Sequence, residues 1–215
     1  KRSTDGGKLM IAIIDYDAGN IKSVEKALNY LGQEVIITRD KEIIMASDKV
    51  ILPGVGSFGN AMDKIREYDL ENVIKEYVKS GKPFLGICLG LQLLYEFSDE
   101  SPNVKGLGIL KGSILKIPKT QGLKIPHMGW NSLEITEGAR LFRGIKDINP
   151  YVYFVHSYYL KSSDVLDVAA TTEYSTCIHA SVEHDNIFAC QFHPEKSGKV
   201  GLKILENFIT LEESR

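Results

Sequence analysis

Apolar positions along this chain follow two periods, one of about two residues and one of about 3.6. Met10-Ile11-Ala12-Ile13-Ile14 is an unbroken apolar run closed by Asp15, the pattern of a strand buried on both faces at the centre of a parallel sheet. After the loop 16–19, Asn20 stands where it can cap a helix whose apolar residues, Ile21, Val24, Ala27, Leu28 and Leu31, recur at helical spacing until Gly32. Residues 34–38 and 49–52 read as the next two strands. Leu70, Val73, Ile74, Tyr77 and Val78 then mark a helix that runs to Gly81. Residues 83–94 follow as strand, sharp turn and helix, with Cys88 at the corner. The alternation predicts an α/β fold with a doubly wound, mostly parallel central sheet, helices on both faces and ligands beyond the carboxyl ends of the strands.

Past Phe97 the rhythm shortens. Residues 113–117, 131–135, 151–156, 168–172, 177–183 and 187–192 read as strands added in antiparallel fashion, with Asp185-Asn186 as a hairpin turn. A last helix over about 199–211 gathers Val200, Ile204, Leu205, Phe208 and Ile209 on one face.

Composition narrows the class more than the fold. The 215 residues suit one domain. Residues 1–9, polar and glycine-containing, read as an appended leader before a native start at Met10, which leaves 10–215 as a single domain. Lys and Arg number 26 against 28 Asp and Glu, so the basic surplus of a nucleic-acid partner is missing. Three scattered cysteines are too few for a disulfide framework or a zinc cluster and point to a reducing cytosol. No apolar run reaches membrane-spanning length.

Chemistry concentrates at Gly86-Ile87-Cys88-Leu89-Gly90. A nucleophile at the end of a buried strand is presented by a strained turn, and small residues two positions to either side relieve the crowding. The helix that follows would aim its first N–H groups at the sulfur and favour the thiolate. The same Cys could equally be a small buried hydrophobe, so a partner base decides. Of His127, His156, His179, His184 and His193, only the last brings its own support. In Gln191-Phe192-His193-Pro194-Glu195 the proline favours extended geometry, and an extended segment sends residues i and i+2 the same way. His193 as base with Glu195 as its orienting acid completes a triad. His156 and His179 read as packed strand residues, the His184-Asp185 pair as turn chemistry, and Cys177 and Cys190 as inert.

Pro53-Gly54-Val55-Gly56-Ser57-Phe58-Gly59 spells a dinucleotide-type glycine pattern, but it follows the third strand and lacks the acidic residue at the next strand end. A mobile loop able to turn a peptide N–H toward developing negative charge fits better. The only Trp, Trp130, sits in Pro126-His127-Met128-Gly129-Trp130-Asn131 and reads either as core or as an interface anchor.

Taken together, these motifs resemble the class I, triad-type glutamine amidotransferases, and within them the glutaminase subunits of imidazole glycerol phosphate synthases. The resemblance runs from Met10 to the C-terminus. It rests on Asp15–Asn20, Pro53–Gly59, Gly86–Gly90 with Gln92, Pro126–Asn131, Tyr153–Tyr158 and Gln191–Ser197. It implies that L-glutamine is hydrolysed to glutamate and ammonia through a thioester on Cys88, with His193 as base and then acid and Glu195 orienting it. It further implies an oxyanion hole from the backbone N–H groups of Leu89 and, after a peptide turn, Val55, and glutamine binding by Gly56, Gln92, Ser157 and Tyr158. Asn20, Trp130 and Lys196 match positions facing a (β/α)8-barrel synthase subunit that receives the ammonia in histidine biosynthesis. No cofactor or metal is implied, no nucleic acid or membrane partner, and the setting is cytoplasmic. Leu91 stands where the family often has Met, a volume-conserving change. The alternatives are another triad glutaminase, against which residues 126–131 speak, a cysteine peptidase on a similar fold, and a non-catalytic subunit that kept the fold.

Overall fold

The computed structural model describes residues 9–145 and 149–213. The first half runs β1 (Ile11–Ile14), α1 (Ile21–Tyr30), β2 (Val35–Thr38), α2 (Lys41–Ala46), β3 (Lys49–Leu52), α3 (Phe58–Glu67), α4 (Leu70–Lys79), β4 (Phe84–Ile87) and α5 (Leu89–Leu93). There follow β5 (Phe97–Ser98), β6 (Gly112–Lys116), β7 (His127–Ser132), β8 (Glu134–Ile135), β9 (Tyr151–His156) and β10 (Tyr158–Ser162). The chain ends with β11 (Val168–Glu173), β12 (Cys177–His184), β13 (Ile187–Cys190) and α6 (Gly198–Thr210).

Eight strands form one sheet in the order β2-β1-β3-β4-β13-β12-β11-β8. Period-two alternation sorts its central residues onto two faces. Ile14, Leu52, Phe84 and Ala189 pack beneath α3 and α4 against Met62, Ile65, Ile74 and Tyr77. Ile13, Ile51, Leu85 and Phe188 face α1 and α6 through Val24, Leu28, Ile204 and Phe208. Each such buried side chain contributes roughly 1.5–3 kcal/mol, which is why the continuous apolar runs settle at the centre. The predicted doubly wound, mostly parallel architecture is thus the observed one. Two small sheets, β10-β6-β5 and β7-β9, lie beside it.

Several expectations change. Residues 187–192 were expected as an antiparallel addition; β13 does pair antiparallel with β12 across the Asp185-Asn186 turn, but its other edge pairs parallel with β4. That edge sets the site, because it brings the carboxyl ends of β4 and β13 side by side. Asn20 does not cap α1: it adopts a left-handed conformation (φ 69) with no side-chain bond to the helix. Residues 131–135 divide into the end of β7 and the separate short strand β8.

Candidate active site

Cys88 follows β4 with φ 53 and ψ −109, a conformation a non-glycine residue adopts only when its surroundings impose it. The glycines at 86 and 90 make this possible. A Cβ at Gly90 would run into the Leu52 carbonyl, and one at Gly86 would lie 2.8 Å from the carbonyl oxygen of Gly90. The Cys88 N–H donates to the Cys190 carbonyl at 2.8 Å, tying the corner to β13.

Three residues beyond β13 comes His193, its backbone N–H bonded to Tyr153 of β9 at 3.0 Å. Its Nδ1 lies 2.7 Å from Glu195 Oε1, and both side chains are withdrawn from solvent. Residues 193 and 195 do come together, but not along an extended segment: His193 itself is extended (φ −98, ψ 98), whereas Pro194–Lys196 form a 3-10 turn that brings Glu195 back onto the ring. Burial alone would lower the His193 pKa, but interaction with Cys88 and Glu195 outweighs it and raises the value to about 9. His193 Nε2 is buried without a hydrogen bond of good geometry; Cys88 acts on it as a nearby charge partner. Asn20, unused as a cap, donates from Nδ2 to the same Glu195 oxygen at 2.6 Å.

The expectation that the helix start aims its N–H groups at the sulfur does not survive intact. The Leu89 N–H donates to the Gly54 carbonyl at 3.2 Å. A side-chain donor faces the sulfur instead: Gln191 Nε2 lies 3.7 Å from Cys88 Sγ. Tyr16, buried under the glycine loop, donates its hydroxyl to the Pro53 carbonyl at 2.6 Å and so anchors that loop.

A cavity of about 360 Å³ opens at Cys88 and is lined by Val55, Gly56, Leu89, Gln92, Glu100, His156, Ser157 and Tyr158 among others. Every oxyanion and glutamine-binding residue expected from the sequence lines it. Glu100 was missed; it holds its place by accepting the Phe58 N–H at 2.8 Å, a contact across 42 residues that no local pattern announces. A larger, more open cavity of about 640 Å³ lies at the other end of β4 and β13, between Lys79, Gly108 and His184. No Cys, Ser or Thr lines it, so size does not locate the Cys88 site.

A further histidine, His156 of β9, lines the cavity, and His127 of β7 pairs with it. His127 Nδ1 lies 3.0 Å from His156 Nε2, and His156 Nδ1 lies 2.8 Å from the Tyr158 carbonyl. Burial lowers His127 to about 4 and His156 to about 3. On the opposite, exposed face of this ribbon, Met128 and Trp130 lie across from Val155 and Tyr153, with Tyr151 next along. Trp130 is 56% exposed, so it is not a core residue. Lys196, also exposed, follows the triad in the short turn Pro194–Lys196. Of the remaining histidines and cysteines, His184 pairs with Asp167 at 2.9 Å, His179 accepts the Ser162 N–H, Cys177 is exposed and Cys190 buried.

A strained Cys88 at a strand end, a buried His193–Glu195 pair and a glycine loop thus meet at the carboxyl end of a doubly wound sheet, an arrangement suited to nucleophilic chemistry. The family model for class I glutamine amidotransferases matches residues 12–211, and the chain belongs to that family. Within it, the chain is 50% identical over 202 residues to imidazole glycerol phosphate synthase subunit HisH of Methanocaldococcus jannaschii, covering 94% of this chain and all of that one. It is 51% identical over 199 residues to the HisH subunit of Bacillus cereus, covering 93% of both. Among solved structures, PurLQS from Thermotoga maritima superposes with a TM-score of 0.73 at 22% identity, covering 94% of this chain and 98% of that one. A glutamine amidotransferase from the same organism gives 0.62 at 17%, covering 94% and 83%. These two share the fold; the HisH subunits share the family.

Proposed function

We propose that this chain is the glutaminase subunit of an imidazole glycerol phosphate synthase, with Cys88, His193 and Glu195 as its catalytic triad. The observation that carries the reading is the Glu195–His193 pair buried beside a strained Cys88 at the mouth of the cavity. Cys88 Sγ attacks the side-chain carbonyl carbon of glutamine. The tetrahedral intermediate collapses as His193 gives its proton to the leaving nitrogen, the C–N bond breaks and ammonia departs. Water then attacks the thioester while His193 takes its proton; the C–S bond breaks and glutamate leaves.

The oxyanion needs two donors that are not both ready. The Gly54 carbonyl that occupies the Leu89 N–H belongs to the same peptide unit as the Val55 N–H. Turning that one peptide releases the first donor and presents the second. Gln92 spends both hydrogens of its Nε2 on Tyr158 and Gln191, so what it offers the substrate is its acceptor oxygen. Glu100 adds a carboxylate suited to the α-ammonium group.

The ribbon face carrying Met128, Trp130, Tyr151 and Tyr153 continues to Val155, which lines the cavity. An exposed aromatic patch of this kind suits a stable partner surface, and the reading assigns it, with Asn20 and Lys196, to a (β/α)8-barrel synthase subunit that receives the ammonia. Residues 10–215 act as one domain, and the three unpaired thiols suit a cytoplasmic setting. No described helix is long and apolar enough to cross a membrane. The test is ammonia release from glutamine in the complex with the barrel partner, in the presence of that partner's nucleotide ligand. Cys88→Ala abolishes it; undiminished release would sink the assignment.

A further inference from the structure

Gln191 has no place in the three-residue scheme, yet it is fully buried and touches both Cys88 and Gln92, which line the cavity. Gln92 Nε2 donates to Gln191 Oε1 at 3.0 Å, and Gln191 Nε2 faces Cys88 Sγ at 3.7 Å. The direction of this chain is set by the backbone. The Tyr158 carbonyl can only accept, and it lies 3.0 Å from the Gln92 carboxamide, so Gln92 presents its nitrogen there. The second hydrogen on that nitrogen meets Gln191, which must therefore show its oxygen to Gln92 and its NH2 group to the sulfur. Reversing either amide would set two donors or two acceptors against each other. The same Tyr158 oxygen also accepts His156 Nδ1–H at 2.8 Å, which uses its second lone pair and holds it in place.

A side-chain N–H aimed at sulfur distinguishes the charge states of that atom. Its bond to a thiolate is charge-assisted; to a thiol or a thioester sulfur it is weak. The backbone N–H groups of Cys88 and Leu89 are bonded to Cys190 and Gly54. We propose that Gln191 stabilises the Cys88 thiolate through its carboxamide N–H, with its orientation imposed through Gln92 by the Tyr158 carbonyl. The inference rests on Cys88 being the nucleophile. Gln191 then acts twice in each turnover: it holds the thiolate before attack, and it meets the electron pair that returns to sulfur when the C–S bond of the thioester breaks.

Alkylation of the full chain by iodoacetamide, read by peptide mass mapping in a Cys177→Ser background, tests this without glutamine or partner. Gln191→Met keeps the volume and removes the donor. Cys88 is expected to react about tenfold more slowly than the parent near pH 7, the worth of one hydrogen bond to a charged group, and within about twofold of it near pH 10. Equal rates near pH 7 overturn the proposal. A second measurement needs no substitution at Gln191: the side-chain amide resonances of Gln191 should move when Cys88 is alkylated, while those of exposed Gln121 stay. Unmoved Gln191 resonances overturn it even if Gln191→Met fails to fold. Undiminished ammonia release by Cys88→Ala would instead remove the nucleophile assignment, which the alkylation rates do not address.

Discussion

Asn20 Nδ2 and Glu195 Oε1 stand 2.6 Å apart although 175 positions separate them in sequence. The left-handed backbone at Asn20 (φ 69) turns its side chain off the helix it was expected to cap and onto the acid that orients His193. Asn20→Ala should therefore lower kcat for glutamine hydrolysis by about tenfold, the loss of one hydrogen bond to a charged acceptor, with KM for glutamine little changed. Asn20→Asp should be worse, because it sets a second carboxylate against Glu195. Steady-state kinetics at a saturating concentration of the barrel partner separates this from weakened assembly.

The Leu89–Gly54 bond yields a second prediction. Val55→Pro deletes the Val55 N–H while leaving the Gly54 carbonyl where it is. Losing one oxyanion donor costs on the order of 100-fold to 1,000-fold in kcat. Glutamine affinity, measured by calorimetry in a Cys88→Ala background, should stay within about threefold of the parent. A comparable loss of affinity would show that the loop serves binding and not the transition state.

The His127–His156 pair gives a prediction in pH. The Tyr158 carbonyl requires a hydrogen on His156 Nδ1, so His156 Nε2 is an acceptor and His127 Nδ1 carries the other hydrogen. His127 Nε2 is then the acceptor facing Asn131 Nδ2 at 3.3 Å. Both rings are neutral in this arrangement, and 15N spectra should report the Nδ1–H tautomer for each down to about pH 4.5. The sign for stability follows. Folded values near 4 and 3 lie below the unfolded value of about 6.5, so the unfolded chain binds more protons as pH falls below about 6.5, and stability declines toward pH 4. Each ring costs the fold on the order of 3 kcal/mol there, or a Tm lower by roughly 6–12 °C per ring than at neutral pH. A flat Tm between pH 7 and 4.5 would contradict the neutral pair.

What the sequence disclosed and what it concealed divide along one physical line. The corner at Cys88 and the closeness of His193 to Glu195 were legible because their signals are local. Two glycines flank the corner, and only Pro194 separates the base from the acid, although the step between them is a 3-10 turn and not an extended one. The central strands were legible because burial on both faces leaves unbroken apolar runs. Asn20, Glu100 and Gln191 were misread or missed because each acts on a group 42 or more positions away, and only the fold brings those groups together. Topology hid the parallel edge of β13, since its apolar run fits either direction. The strand β10 escaped notice because residues 151–162 run on with only Ser157 as a break, and α2 because six residues with one buried side chain, Ile44, carry too little periodicity.

The Glu195–His193 bond makes its own prediction at alkaline pH. A His raised to about 9 in the folded chain, against about 6.5 unfolded, contributes stability that is complete below pH 6.5 and is lost as pH rises through about 9. Glu195→Gln keeps the size and removes the charge that supports the imidazolium and fixes its tautomer. The stabilising window should then close at lower pH, so the Tm difference between parent and variant shrinks between about pH 7 and pH 10. Glutaminase kcat in the complex should fall on the order of 1,000-fold to 10,000-fold, as expected when the orienting acid of a triad no longer holds the base in its working tautomer. The two readouts have to move together. A variant that lost activity while keeping the parent's alkaline Tm profile would place the role of Glu195 somewhere other than on His193.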